Sequence, residues 1–499
     1  MKVLLTAPDV PFAAYHRRAP AEALYLLAAI VRQSGHDVAV ADHSLHQSDL
    51  DHEAVARAGR PVIDATRFLT RREVDLLDCA ADALRYDGLR SMARDADCVG
   101  ISVNSLNWLY ARAMIRELKR DCPEMPILVG GPHATHLPDD ILSSSAVDYV
   151  IRGEGERVLP RLLACLDRGV EPRDVPGVSY RRDDDVVHNP PAPLLTPAEL
   201  DALPLPAYDL LPRGRFATLG VETSRGCAHH CRFCGIPGRG TWRPLSVAAV
   251  RRRLFHAQTY AAALRPDPNG RFEILFLDDN LTADPVRAAG IFRAVEEVDP
   301  MFDFSMEGRV DDMLEERHVG ALSRARMRRW LLGVESGTNV GLRRAGKRLT
   351  LEQVDRCASV AAHAGLARAS KFSFILGLPW EGREECTRTI DFATSLVLRY
   401  GVSVQLCWHG LFPGSEVWRS RSKLGIKAGP EIYRTHAFQS WDAFLDMCPR
   451  LSEADVAILW KHLEEAHQVA EVIRGPGLVY LPLRYVASAL ETDRSCASC

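Results

Sequence analysis

The feature that most restricts the fold is an alternation, met twice along the chain, of short apolar runs with stretches of helical periodicity. In the first series the runs fall at residues 2–7, 37–42, 98–103, 126–129 and 149–152. Residues 22–31 and 109–118 carry apolar side chains at helical spacing, and Pro8 and Gly35 punctuate the boundaries. Strand and helix in turn specify a parallel sheet covered on both faces, an α/β doubly wound arrangement. This domain is expected over residues 1–190, with the long, charged and partly helical stretch 43–97 as an insertion between two of its strands.

Charge and proline then interrupt the pattern. Arg181 and Arg182 precede three aspartates, and Pro190, Pro191, Pro193, Pro204 and Pro206 follow, which marks residues 181–206 as a linker. The second alternation occupies 205–415, with strands expected at 219–223, 273–277, 303–307, 329–333, 370–376 and 403–407, and helices at 246–264 and 286–298. Six strand–helix repeats predict a partial (β/α)6 barrel, whose chemistry gathers at the carboxyl ends of its strands. Residues 416–499 are expected as a helical C-terminal region, with an amphipathic stretch at 453–472.

At 499 residues the chain allows two or three domains. Its charges sum to −3, from 62 Lys and Arg against 65 Asp and Glu, so no basic excess points to nucleic acid. No apolar run reaches the roughly 18 residues of a membrane span, and the opening apolar run is too short for a secretion signal. A cytoplasmic location is therefore expected. The thirteen cysteines read as reduced thiols plus one metal or redox site.

That site is legible. In Thr223-Ser224-Arg225-Gly226-Cys227-Ala228-His229-His230-Cys231-Arg232-Phe233-Cys234-Gly235, three cysteines are spaced C-x3-C-x2-C directly after an expected strand. Three thiolates on one tight loop can hold three irons of a [4Fe–4S] cluster and leave the fourth open to a ligand. Zinc completed by His229 or His230 is the alternative.

The loop resembles the signature of the radical S-adenosylmethionine enzymes, in which an aromatic residue, here Phe233, precedes the last cysteine. The resemblance implies that Cys227, Cys231 and Cys234 hold the cluster. S-adenosylmethionine would chelate the open iron and be cleaved to a 5′-deoxyadenosyl radical that abstracts a substrate hydrogen. Later segments extend the likeness in the family's order. Asp278-Asp279-Asn280 resembles the second-strand motif near the methionine amino group, and Arg309 follows the next strand. Glu335-Ser336 resembles the polar motif that meets carboxylate and ribose. Gly377-Leu378-Pro379 resembles the turn that brackets adenine. Phe412-Pro413-Gly414-Ser415 resembles the closing turn, with Leu411 where the family has proline.

In the first domain, Ser102 and Asn104 end one run, Gly130-Gly131-Pro132-His133 follows the next, and Gly153-Glu154 follows the last. Glycines there let a ligand approach the backbone at the carboxyl edge of a parallel sheet. Their order resembles the cobalamin-binding domain fused in front of many radical S-adenosylmethionine enzymes, so these residues are implied cofactor contacts. The D-x-H-x-x-G motif of other cobalamin proteins is absent, Asp42-His43 having the wrong spacing, and His133 reads as a turn residue.

The resemblance implies an enzyme that methylates an unactivated carbon, or a phosphinate phosphorus, of a small natural-product substrate, methylcobalamin supplying the methyl group. Reduction of the cluster implies an electron donor such as flavodoxin or ferredoxin. The alternatives are a radical dehydratase, epimerase or rearrangement enzyme acting on a sugar or aminoglycoside, and a non-enzymatic iron–sulfur sensor. Glu222 is a candidate substrate base, and Cys407 a candidate hydrogen-atom donor at the end of the last barrel strand. Cys496 and Cys499 form a terminal C-x2-C that is either an exchangeable dithiol or a frayed end.

Overall fold

The computed structural model describes residues 1–8, 20–42, 68–82, 86–183, 185–214, 216, 218–264, 271–298, 301–312, 314, 319, 322, 326–469 and 472–474. It separates into two compact units. His43, Cys496 and Cys499 lie outside the described residues, as does most of the first half of the expected insertion.

In the first unit, β1 (Lys2–Ala7), β2 (Asp37–Asp42), β3 (Cys98–Ser102), β4 (Ile127–Gly130) and β5 (Tyr149–Ile151) form a parallel sheet in the order β2-β1-β3-β4-β5. Val3, Leu4, Leu5, Val99, Ile101, Leu128 and Val129 are buried, the near-continuous apolar character of strands covered on both faces. Helix Glu22–Gln33 supplies Leu24, Tyr25, Ala28 and Val31 to one layer. Strand order reverses between β1 and β3, and at such a switch point the carboxyl edge opens a crevice.

One expectation is corrected here. The charged run taken as the start of a linker is a hairpin: β6 (Val178–Arg182) and β7 (Asp185–His188) extend the sheet antiparallel from β5. Asp183 sits at φ 55° in its turn, a conformation aspartate tolerates. Val178 and Tyr180 are buried, so apolar anchors draw into the sheet a segment whose charges signal a loop. Within the insertion, helices Arg71–Asp82 and Asp87–Ala93 are formed.

The second unit holds β8 (Thr218–Val221), a short antiparallel pair β9 (Ser224–Arg225) and β10 (Arg243–Pro244), then β11 (Phe272–Phe276), β12 (Phe302–Arg309), β13 (Met327–Glu335), β14 (Ser370–Leu376), β15 (Ser403–Trp408) and β16 (Val472–Arg474). The sheet runs β8-β11-β12-β13-β14-β15-β16, parallel throughout. It therefore has two edges and is an open barrel, with all six expected strands present. Burial alternates along β11 and β14. Phe372, Phe374 and Leu376 are buried while Lys371, Ser373 and Ile375 are half-buried, and Phe374 meets Phe392 of helix Arg383–Tyr400 edge-on at 6.2 Å. Even positions of β14 thus pack beneath the helices and odd positions line the interior.

β16 was not expected. The described residues after 416 are largely helical, as expected, but 429–441 group with the first unit and 442–469 with the second. Helix Glu453–Val469 packs on helix Arg383–Tyr400 and buries Val456, Leu459 and Leu463, so it joins the barrel's outer layer.

Candidate functional site

The cysteine loop leaves the carboxyl end of β8 and is fastened at several points. Gly226 has φ 72°, and a Cβ there would stand 2.2 Å from the Thr241 carbonyl oxygen, so glycine is required. Gly240 N–H donates to the Cys227 carbonyl at 2.7 Å, and Arg239 Nη1 donates to the Cys231 carbonyl at 2.9 Å. Arg232 donates its backbone N–H to Ala345 and its Nε to Glu416 Oε1 at 2.7 Å. Cys231 is buried, and Cys227 and Cys234 are half-buried. Burial pushes the Cys227 thiol up and that of Cys234 to about 12. Metal coordination removes such protons.

Three thiols on one loop fit a [4Fe–4S] cluster with three protein ligands, because each thiolate would take a different iron.

The strand ends around the loop divide the expected cofactor contacts into two groups. Asp278 is buried and committed to the loop: it accepts from Thr223 N at 3.2 Å, from Thr223 Oγ1 at 2.7 Å and from Ser224 Oγ. Burial pushes its pKa up to about 6, against those hydrogen bonds. Asn280 is likewise committed, donating to Asp312 Oδ2 at 2.8 Å and accepting from Thr282 Oγ1. Ser336 donates to Glu381 Oε1 at 2.8 Å. These three stabilise the site's frame. Asp279 accepts from the Gly226 backbone N–H of the loop but, unlike Asp278, reaches solvent. Surrounding protein strips hydration from its charged form and, with Glu307 and Glu222, raises its pKa to about 6.

Glu335 occupies φ 88°, unusual for a residue with a side chain, at a bulge where β13 pairs β14. Its Oε1 accepts from Lys347 Nζ at 3.2 Å, and both residues are buried. Gly377 has φ 81° and is roofed by Phe444, Cys448 and Leu451, with Pro379 buried in the same turn. Phe233 is half-buried within the cysteine loop. Arg309 is buried beside Cys231.

Glu222 is not presented to a substrate as a lone base. Arg225 Nε grips its Oε1 at 2.6 Å, and Arg253 Nη1 lies 3.6 Å from Oε2. Cys407 lies at an interior position of β15, accepting from Gln405 Nε2 at 3.2 Å, and burial pushes its thiol up to about 11. Sequence reasoning missed Glu307, Lys347 and Glu381. Glu307 was findable, being the exposed member of the alternation on β12. Lys347 and Glu381 carry no such signal; each acquires its role from a partner remote in sequence.

In the first unit the switch-point crevice, about 280 Å³, is lined by Ala7, Pro8, Asp42, Ser102, Asn104 and Pro132, among others. Asn104 Oδ1 caps the turn after β3 by accepting from Leu106 N and Asn107 N. A Cβ on Gly131, at φ 105°, would stand 2.4 Å from the Val103 carbonyl oxygen, whereas one on Gly153 would meet open space. Gly130 pairs with Ser102 across β3 and β4. Glu154 Oε2 accepts from Leu195 N at 2.6 Å, which ties down the following segment. His133 is a core residue stacked on Trp108 at 5.4 Å, and burial drives its pKa down to about 3. Ser102, Asn104 and Pro132 at this carboxyl edge would hold part of a cobalamin, whose place is the crevice of a doubly wound sheet.

Residues 62–163 match the B12 binding domain family and residues 221–393 the radical SAM superfamily. An uncharacterised methyltransferase from Pyrococcus horikoshii is 30% identical over 364 residues, 71% of this chain and 76% of its own. Hopanoid C-3 methylase from Methylococcus capsulatus is 28% identical over 395 residues, 75% and 68% of the two chains. Among solved structures, the radical S-adenosylmethionine methyltransferase TsrM from Kitasatospora setae, with cobalamin and a [4Fe–4S] cluster bound, superposes with TM-score 0.63 at 16% identity, covering 86% of this chain and 76% of that one. The chain belongs to the radical S-adenosylmethionine enzymes that carry an N-terminal cobalamin-binding domain. Its cofactors are a [4Fe–4S] cluster, S-adenosylmethionine and cobalamin. No helix among the described residues is long and apolar enough to cross a membrane.

Proposed function

We propose that this enzyme methylates an unactivated carbon of a small natural-product substrate in the cytoplasm, with flavodoxin or ferredoxin as electron donor. The observation that carries the reading is the presence in one chain of a three-cysteine loop at the strand ends of an open barrel and of a crevice at the switch point of a parallel sheet. When bound, S-adenosylmethionine on the cluster supplies a hydrogen-abstracting radical, and cobalamin supplies the methyl group. The chain's own residues hold and enclose these groups. Cys227, Cys231 and Cys234 would hold three irons and leave the fourth open to S-adenosylmethionine. Asp279 and Glu307 present negative charge to the cationic ends of S-adenosylmethionine. Gln405 and Cys407 wall the interior where water must be kept from a radical. The names of the relatives favour methyl transfer over dehydration, epimerisation or rearrangement.

The test is anaerobic incubation of the cluster- and cobalamin-loaded chain with S-adenosylmethionine and a reductant. Formation of both S-adenosylhomocysteine and 5′-deoxyadenosine is expected. Formation of 5′-deoxyadenosine alone transfers the site to the non-methylating alternative. Absence of both products leaves a redox sensor.

A further inference from the structure

Arg309, the last residue of β12, is 4% exposed, and its nitrogens go to three places. Nε and Nη2 fork onto Asp311 Oδ1 and Oδ2, each at 2.9 Å. Nη2 also donates to the Lys347 carbonyl at 2.7 Å, which fixes the plane of the guanidinium. Nη1 is left pointing at Cys231 Sγ, 3.7 Å away. The side chain is thus aimed at one of the three thiols of the cysteine loop.

We propose that Arg309, with Asp311 as its counter-ion, sets the reduction potential of the cluster. The inference rests on reading the cysteine loop as a [4Fe–4S] site. Reduction adds one negative charge to the cluster. A fixed cation beside a ligating sulfur stabilises the reduced form more than the oxidised form. An N–H···S bond withdraws density from the sulfur and acts in the same direction. Burial amplifies the effect, because few water dipoles stand between the guanidinium and Cys231. Asp311 opposes it by neutralising part of the positive charge. Arginine suits the position because one planar fork can hold a carboxylate on one edge and a sulfur on the other. A cluster read this way is easier for its donor to reduce than the bare loop would allow.

The experiment is a redox titration of the full chain, reconstituted anaerobically with iron and sulfide, followed by the electron paramagnetic resonance signal of the reduced cluster. Iron content is measured first. If the unaltered chain takes up no cluster, the reading of the loop fails and the inference with it. With clusters loaded, R309Q is expected to shift the midpoint to more negative potential, R309K to stay nearer the unaltered protein, and D311N to shift it to more positive potential. Opposite signs for R309Q and D311N are what a purely structural role does not give. Unchanged midpoints, or shifts of the same sign in both, overturn the proposal. If R309Q cannot hold iron, D311N decides alone: an upward shift supports the tuning and its absence refutes it.

Discussion

A Cβ on Gly235 would stand 2.4 Å from the carbonyl oxygen of Pro413, so the cysteine loop and the turn after the last of the six expected strands meet backbone against backbone. The contact gives the sequence Phe412-Pro413-Gly414-Ser415 a mechanical purpose. Ser415 Oγ then caps the next helical turn at Trp418 N, 2.9 Å away, and Val417 N–H donates to the Arg232 carbonyl at 3.0 Å. Gly235→Ala must move one of two backbones. We expect a loss of about 1–3 kcal/mol in stability and a fall in iron retained after desalting. Full iron retention with an unaltered melting temperature would show that the turn does not hold the loop.

Adjacent aspartates on one strand end should respond differently. Asp278→Asn exchanges an acceptor of three hydrogen bonds for a group that also donates, and should lower stability by about 2 kcal/mol. Asp279→Asn should leave the melting temperature nearly unchanged but weaken S-adenosylmethionine binding roughly tenfold, about 1.4 kcal/mol. Calorimetric titration of the reconstituted variants separates the two. Equal effects on binding would contradict the division of roles.

Glu381 gives a pH signature. It is buried, Ser336 Oγ donates to its Oε1 at 2.8 Å, and its Oε2 has no partner among the described residues. Burial pushes its pKa from 4.5 to about 7. The native state therefore holds a proton that the unfolded chain has released, and stability falls as pH rises from about 4.5 to 7 before levelling off. The full effect is about 3 kcal/mol. Glu381→Gln should flatten that part of the profile relative to the unaltered protein. Parallel melting-temperature profiles from pH 5 to 8 would refute it.

The cysteine loop was readable because its spacing leaves three thiols few other uses, and the barrel strands because apolar runs recur with turn signals between them. What one chain could not separate was Asp278 from Asp279. Neighbours on a strand end point opposite ways, and the choice depends on Thr223, 55 residues earlier. The partner of Ser336 was hidden for the same reason, since Glu381 reaches it only through the fold, whereas Arg225, which holds Glu222, lies three residues away in sequence. The β6–β7 hairpin was hidden by its charged turn. β16 was hidden by continuity with a helical pattern: Val472 opposes Val404 only because β15 offers an unpaired edge.

Cys407 discriminates between the reactions open to the site. Its thiol stays protonated under ordinary conditions, being pushed up to about 11, and so has a hydrogen atom to give. Methyl transfer does not require one. Cys407→Ala is expected to keep S-adenosylhomocysteine formation within about threefold of the unaltered enzyme, an effect below 1 kcal/mol. Loss of product with 5′-deoxyadenosine formation intact would instead mark the residue as a hydrogen donor.

The most direct test of the account is metal analysis of the protein purified anaerobically, reconstituted with iron, sulfide and hydroxocobalamin, and desalted. The account predicts about four irons and about one cobalt per chain. Tightly held zinc without iron would contradict the cluster, and four irons without retained cobalt would contradict the methylase.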